Sequence, residues 1–285
     1  MLVFENVREM QKWSLDQKKA GKTIGLVPTM GYLHAGHLAL VKEAAKASDI
    51  VVVSIFVNPM QFGQGEDFEE YPRDISRDIS LLKAENVAAV FAPSARDMYP
   101  VGYSTFLEVT GEMTNKLCGK KRPGHFKGVT TVVSKLFNIC IPDVAYFGQK
   151  DIQQVIVIEK MVKELNFSVK IERVPIVREA SGLAMSSRNV YLDEVQKEAA
   201  LVLYKALQYA EKLINGGEKD TAVLSKGIES IVKAEKLAII DYIEIVDDVD
   251  LANVANLSNI KGSVVIALAV KIGSTRLIDN LVVEV

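Results

Sequence analysis

The sequence predicts an α/β fold, a doubly wound, Rossmann-like parallel sheet followed by a smaller C-terminal α+β domain. Three observations carry this expectation. Apolar strand-like runs alternate with helical patterns as far as residue 174. The segments between successive runs are long enough for right-handed parallel crossovers. Beyond residues 175–189 the order changes to two helices and then three strands. The expected division is residues 1–176 and residues 177–285.

Each element has its own signal. Asn6-Val7-Arg8-Glu9 carries the N-cap and third-position pattern of a helix start, and that helix runs to about Ala20, with Gly21 ending it. Residues 24–27 are a short buried strand. A helix over 38–46 sets Leu38, Val41 and Ala45 on one face. Residues 49–57 are nearly all apolar and β-branched, as in a parallel strand buried on both faces. A loop over 60–71 leads to a helix over 74–85 with Ile75, Ile79 and Leu82 inward, then to a strand at 87–91 and an extended run at 105–109. A basic, glycine-containing loop is expected at 118–128, a helix at 129–141, a strand at 144–147, a helix at 152–165 and a strand at 169–174. One long helix over 193–214, a second over 218–234, and strands at 239–246, 264–272 and 275–283 complete the chain, with Gly273-Ser274 as a hairpin turn.

Composition narrows the function classes. Of 285 residues, 49% are hydrophobic and 25% charged, ordinary values for a globular protein. A formal net charge of -2 without a basic block argues against a dedicated nucleic-acid binder. Two cysteines are too few for a disulfide scaffold and fit a reducing, cytoplasmic setting. The first residues lack a basic stretch followed by an apolar one, so no secretory signal is expected. No apolar run approaches the roughly 20 residues of a membrane span.

The most informative stretch is residues 27–38, which reads strand, loop, helix and holds two of the three histidines, His34 and His37. A helix N-terminus offers unpaired N–H groups and a positive dipole end, which suits phosphate. The two histidines can be read as phosphate donors, as buried structural groups, or as a metal pair lacking an obvious third ligand; the glycine between them at a strand-to-helix turn favours phosphate. Gly148-Gln149-Lys150-Asp151 leaves another strand end, where Lys150 suits phosphate and Asp151 could cap the next helix. In residues 184–189, hydroxyls and Arg188 suit β- and γ-phosphate oxygens, or else cap a boundary loop. Gln61, beside Met60 and Phe62, could hold a small polar substrate, and Arg122 to Phe126 forms a cationic turn. No G-x-x-x-x-G-K-[ST] or G-x-G-x-x-G run occurs.

Taken together these segments resemble a known family. Pro28-Thr29-Met30-Gly31 with His34-x-Gly36-His37 is similar to the HxGH signature of the nucleotidylyltransferase superfamily, and Met185-Ser186-Ser187-Arg188 is similar to the KMSKS loop of class I aminoacyl-tRNA synthetases. The fuller set, PTMGxLHxGH, NPxQF, YPR, RPGHFxGV, FGxKDxQQ and GLAMSSRN in that order, resembles the pantothenate synthetase (pantoate–β-alanine ligase) family along essentially the whole chain. The resemblance implies a two-step reaction. ATP and pantoate give pantoyl adenylate and pyrophosphate; the β-alanine amine then attacks the acyl carbon and AMP leaves. Alignment and electrostatic stabilisation suffice, without a protein nucleophile.

By position, the resemblance implies that Pro28, Met30, Gly31, Tyr32 and Leu33 line the ATP site together with His34, Ala35, Gly36 and His37. Both histidines would contact phosphates. The family's second histidine, here His37, is usually labelled the proton donor; an electrostatic role suffices if pyrophosphate leaves on Mg²⁺. Gly148, Gln149, Lys150 and Asp151 would contact the nucleotide, Val177 would pack near adenine, and Met185, Ser186, Ser187 and Arg188 would close over the triphosphate. Thr29, Met30, Gln61 and Gln154 would hold pantoate, and Gln61 would also meet β-alanine. The catalytic set so implied is His34, His37, Lys150, Ser186, Ser187 and Arg188, with Arg122 and His125 at the pocket rim. Gln149 stands where many members have Glu, and the helix with Asp74 and Asp78 lacks a run of adjacent acids, so no metal role is assigned there. Mg²⁺ is expected with ATP, with no dedicated protein metal site. The other implied properties are a cytoplasmic homodimer joined through the larger domain, with no nucleic-acid or membrane partner and a smaller domain that covers the site.

Two rivals differ in sequence demands. A nucleotidylyltransferase acting on a phosphorylated acceptor would need basic residues near Gln61, and residues 58–70 contain none. A tRNA synthetase fragment would need a basic RNA-binding region, which residues 239–285 do not supply.

Overall fold

The computed structural model describes residues 1–285, whose contacts group into two compact units. The first comprises Met1–Thr114, Gly119–Gly148 and Val157–Pro175; the second comprises Asn115–Cys118, Gln149–Ile156 and Ile176–Val285.

In the first unit, β1 (Leu2–Phe4), β2 (Ile24–Thr29), β3 (Ile50–Ile55), β4 (Ala89–Phe91), β5 (Val144–Gly148) and β6 (Lys170–Val174) form one sheet in the order β1-β4-β3-β2-β5-β6. Every neighbouring pair is parallel. The intervening helices are α1 (Val7–Lys19), α2 (Ala35–Ala47), α3 (Ile75–Lys83), the single turns α4 (Ala95–Met98), α5 (Glu112–Asn115) and α6 (Cys118–Lys121), then α7 (His125–Cys140) and α8 (Ile152–Glu164), of which Asn115, Cys118 and Ile152–Ile156 group with the second unit. Val27, Val51, Val53 and Val90 bury one sheet face against Leu40, Val41 and Ala44 of α2 and Leu82 of α3. Ile24, Leu26 and Val52 are buried on the other face, where α7 packs on β2 and α1 packs on α7. Burial on both faces is why these strands read as unbroken apolar runs.

Several expectations are corrected here. Helix α2 begins at Ala35, before the predicted 38, and buries Leu40, Val41 and Ala44, while Ala45 is exposed. The reason is its N-cap, His34, whose ring does the work usually done by Ser, Thr, Asp or Asn. On α3, Leu82 is buried as expected, but Ile75 is 43% exposed and Asp78 is only 1% exposed. The run at 105–109, expected only to be extended, joins no sheet; Thr130 and Thr131 of α7 supply Leu107 with the bonds a neighbouring strand would make. Residues 118–128 are not a continuous loop, because α6 and the first turn of α7 lie within them.

The second unit holds α9 (Glu194–Ala200), α10 (Val202–Asn215), α11 (Thr221–Lys233) and the antiparallel sheet β7 (Ala238–Asp247), β8 (Ser263–Ile272) and β9 (Thr275–Glu284), in the order β7-β8-β9. The predicted single helix over 193–214 is therefore two, interrupted at Leu201. Leu203 and Leu207 of α10 and Leu224 and Ile228 of α11 form a core with Ile266 and Leu268 of β8. Gly273 lies at φ 59, the left-handed conformation that a two-residue hairpin turn requires, and Ile272 pairs with Thr275.

Candidate active site

In the first unit the sheet itself opens a crevice. Strand β2 pairs with β3 through Thr29↔Ile55, but with β5 only at Gly25↔Val144 and Leu26↔Ala145. The two strands part after Leu26, at the point where strand order reverses and ligands bind in such sheets. Pro28, with no N–H to donate, is accommodated in a central strand because no β5 residue pairs with it.

The chain leaving β2 turns sharply. Gly31 and Tyr32 have φ of 82° and 51°, and the turn is fixed by a side chain far away in sequence. The Asp78 carboxylate accepts from Tyr32 N and Leu33 N, each at 2.7 Å, and Arg77 lies 3.5 Å from the same carboxylate. Burial pushes the Asp78 carboxyl up more than these partners lower it. Leu33 is fully buried and anchors the turn, while Thr29 donates its hydroxyl to Ser54 O and accepts from Gly31 N.

This turn delivers the two histidines to the start of α2. Gly36 N donates to His34 Nδ1 at 3.1 Å, and His34 N donates to His37 Nδ1 at 3.3 Å. Because a backbone N–H can only donate, both Nδ1 atoms are acceptors and the ring hydrogens lie on Nε2. The rings stand 4.0 Å apart between centroids. Two Nε2–H donors, the small residues Ala35 and Gly36, and a helix N-terminus make a setting for a polyanion.

A primary amide lies beside it. The 3-10 turn Pro59–Gln61 follows β3, and Gln61 is 9% exposed. Gln61 Nε2 donates to Met30 Sδ at 3.1 Å, and Asn58 Nδ2 donates to Gln61 Oε1 at 3.1 Å. Asn58 is itself held by Tyr99 OH and by Gly128 O. His125 and Arg122, placed at the rim by the sequence, both reach the Gln61 carbonyl, and Arg122 also pairs with Glu66. Burial pushes the Glu66 carboxyl up, but chiefly the Arg122 guanidinium holds it below its ordinary value.

The second unit gathers the remaining sequence candidates. Gln149, Lys150 and Asp151 form a 3-10 turn that runs directly into α8, so Asp151 is not a separate cap. Asn280 of β9 fixes this turn by donating to Gln149 O at 2.9 Å and Lys150 O at 3.0 Å. Gln153 is consumed structurally by Cys118 N and Lys116 O, whereas Gln154 stays half-buried. Val177 and Arg178 pair with Met185 and Ala184 as a small hairpin, braced by the two-pronged Arg178–Asp279 ion pair and by the Tyr204 ring 4.0 Å from the guanidinium. Ser186 caps a short turn, Ser187–Tyr191, through its bond from Arg188 N, and Ser187 is buried. No group of three or more His, Cys, Asp or Glu side chains is placed to hold a metal ion, and no helix is long and apolar enough to cross a membrane.

Sequence reasoning gave no role to Asp78 or Asn58. The signal for Asp78 was available: an acid on the same helical face as Leu82 interrupts an apolar stripe. Asn58 carried none beyond its place at a strand end.

Comparison with known proteins places this arrangement. The pantoate–β-alanine ligase profile matches residues 2–282. The pantothenate synthetase of Syntrophomonas wolfei is 62% identical over 285 residues, all of both chains, and that of Carboxydothermus hydrogenoformans is 55% identical over the same span. The crystal structure of pantothenate synthetase from Thermus thermophilus superposes with a TM-score of 0.92 at 42% identity, covering 99% of each chain. The pantoate–β-alanine ligase of Francisella tularensis, complexed with β,γ-ATP and β-alanine, gives 0.79 at 36% identity, covering 99% of this chain and 97% of its own. Matched along its whole length, the chain belongs to the pantoate–β-alanine ligase family, whose members condense pantoate with β-alanine in an ATP-dependent reaction.

Proposed function

We propose that His34 and His37 bind the ATP phosphates through their Nε2–H groups, and that Gln61 presents its amide to pantoate and then to β-alanine. The observation that carries this reading is the Gln61 Nε2 to Met30 Sδ contact, which sets an anchored amide beside the turn leading to His34. In the first step a pantoate carboxylate oxygen attacks the α-phosphorus, the bond to the β-phosphate oxygen breaks, and pyrophosphate leaves. The two imidazoles and the α2 N-terminus stabilise the added negative charge, worth about 10²–10³-fold in rate for one such donor. In the second step the β-alanine amine attacks the acyl carbon, loses a proton, and AMP departs. Neither step needs a covalent link to the protein.

In the same reading Pro28, Gly31 and Tyr32 line the nucleotide site, Leu33, at 0% exposure, anchors the turn instead of facing the site, and Thr29 and Gln154 join Gln61 in holding pantoate. Gly148, Gln149, Lys150 and Asp151 contact the nucleotide, with Lys150 on phosphate; Val177 meets adenine, and Met185, Ser186, Ser187 and Arg188 serve the triphosphate. Mg²⁺ enters with ATP as part of the substrate. Residues 1–176 act as the ATP and pantoate domain and residues 177–285 as its cover. The working enzyme is a cytoplasmic homodimer.

Pyrophosphate exchange tests the chemistry. Labelled pyrophosphate should enter ATP only when pantoate is present. Equal incorporation without pantoate would refute adenylation of pantoate as the first step.

A further inference from the structure

Gln61 is fixed through its main chain as well as its amide. Its carbonyl oxygen accepts from Arg122 Nη2 at 3.2 Å and from His125 Nδ1 at 2.8 Å. A carbonyl can only accept, so the ring hydrogen of His125 lies on Nδ1. Arg122 can only donate, and its Nη1 stands 3.0 Å from His125 Nε2, so that nitrogen is the acceptor. A second proton on Nε2 would point into a guanidinium. The guanidinium cannot easily turn away, because Glu66 grips it from Nε at 2.8 Å and Nη2 at 2.5 Å. His125 and Gln61 are 8% and 9% exposed, so both are shielded from competing water.

We propose that His125 is a positioning residue for the condensation. Locked as the neutral Nδ1–H tautomer by the Arg122–Glu66 pair, it pins the Gln61 main chain and so aims the amide that meets pantoate. This rests on the reading of Gln61 as a pantoate contact. His34 and His37 are the opposite tautomer, with Nδ1 turned to backbone N–H groups. The chain has three histidines, so one spectrum samples both classes.

The test combines that spectrum with kinetics on the full-length enzyme. A long-range proton–nitrogen imidazole spectrum at neutral pH should show two Nε2–H rings and one Nδ1–H ring, the last absent in His125→Asn. His125→Ala should raise the pantoate KM about threefold to tenfold, the worth of one hydrogen bond, with kcat changed less. His125→Asn, whose δ-nitrogen still donates, should restore most of that loss. A His125 ring that is Nε2–H or doubly protonated overturns the proposal, as does an Asn variant no better than Ala. Should the Ala variant fail to fold, the spectrum and the Asn variant still decide. An unchanged pantoate KM in Gln61→Ala sinks the underlying reading, and this proposal with it. A large Gln61→Ala effect beside a silent His125→Ala sinks this proposal alone.

Discussion

Replacing Gly128 by alanine tests whether the position of Gln61 governs pantoate use. Gly128 lies in the first turn of α7, and its carbonyl accepts from Asn58 Nδ2 at 3.1 Å. A Cβ there would stand 2.2 Å from Met60 O, 2.5 Å from Met60 C and 2.6 Å from Gln61 N. All three are backbone atoms, so no flexible side chain can yield. To reach the 3.4 Å at which ordinary contact begins, the Pro59–Gln61 turn must retreat by about 1.2 Å. Two stability effects oppose each other. Overpacking costs about 1–3 kcal/mol, and alanine gains about 1 kcal/mol over glycine within a helix. The net loss of about 1 kcal/mol lowers Tm by only about 2–4 °C. Catalysis has no such compensation, because a displacement of about 1 Å at a substrate-positioning group can cost on the order of 10²-fold. The expected result is a folded enzyme with pantoate kcat/KM reduced by tens-fold to about 10²-fold and ATP binding retained. Steady-state kinetics and a melting curve on the same preparation measure both. Near-normal pantoate kcat/KM in a folded variant would refute the reasoning, and so would loss of activity that merely follows a collapse in Tm.

Three further substitutions probe the remaining parts. Asp78→Asn places an amide NH₂ opposite one of two backbone N–H groups, so one donor in the Gly31–Leu33 turn loses its acceptor, at about 1–3 kcal/mol. Its pH dependence has a definite sign. Burial lifts the folded carboxyl above its ordinary 3.8, so the proton is held more tightly folded than unfolded, and this carboxyl's stabilising contribution is full below 3.8 and lost as pH rises through the raised value. The stability of wild type over Asp78→Asn, followed by denaturant titration from about pH 4 to 7, should therefore shrink toward neutrality; a widening gap would contradict it. His37→Ala and Lys150→Ala should each slow single-turnover adenylate formation about 10²–10³-fold, and unchanged rates would remove both from the mechanism.

The parts of this molecule that sequence made legible are those whose cause is local. Parallel strands buried on both faces must be apolar throughout, so 49–57 announces β3. Asn6 caps α1 through its own side chain, accepting from Arg8 N and Glu9 N, and the signal lies within four residues. The Gly273-Ser274 turn is equally local. What stayed hidden depends on partners distant in sequence. Residues 105–109 read as an extended run, and nothing local shows that hydroxyls from α7 take the bonds a neighbouring strand would make. Helix α2 begins early because two imidazoles cap it, which composition does not reveal.

The same distinction explains the site. His34, His37, Lys150 and Gln61 were legible from residue chemistry at strand ends and Arg188 from its boundary loop, whereas Thr29, Gln154 and Val177 were named only through the family resemblance. Asp78, which holds the turn in place, was given no role, since Ser76-Arg77-Asp78-Ile79 does not say which N–H groups it will satisfy in a turn 45 positions earlier. The case of Asp78 carries a general physical consequence. Placing a carboxylate at 1% exposure is costly unless its oxygens are well bonded, so its presence on an apolar helix face requires donors nearby. Such donors are side chains, as Arg77 is at 3.5 Å, or backbone not already in a helix or sheet, which means a turn with unpaired N–H groups. In this sheet the turn beyond β2 meets that requirement, through Tyr32 N and Leu33 N. An acid interrupting the apolar stripe of a sheet-covering helix therefore points to the strand end whose loop it braces, and here that loop is the one that carries His34 and His37.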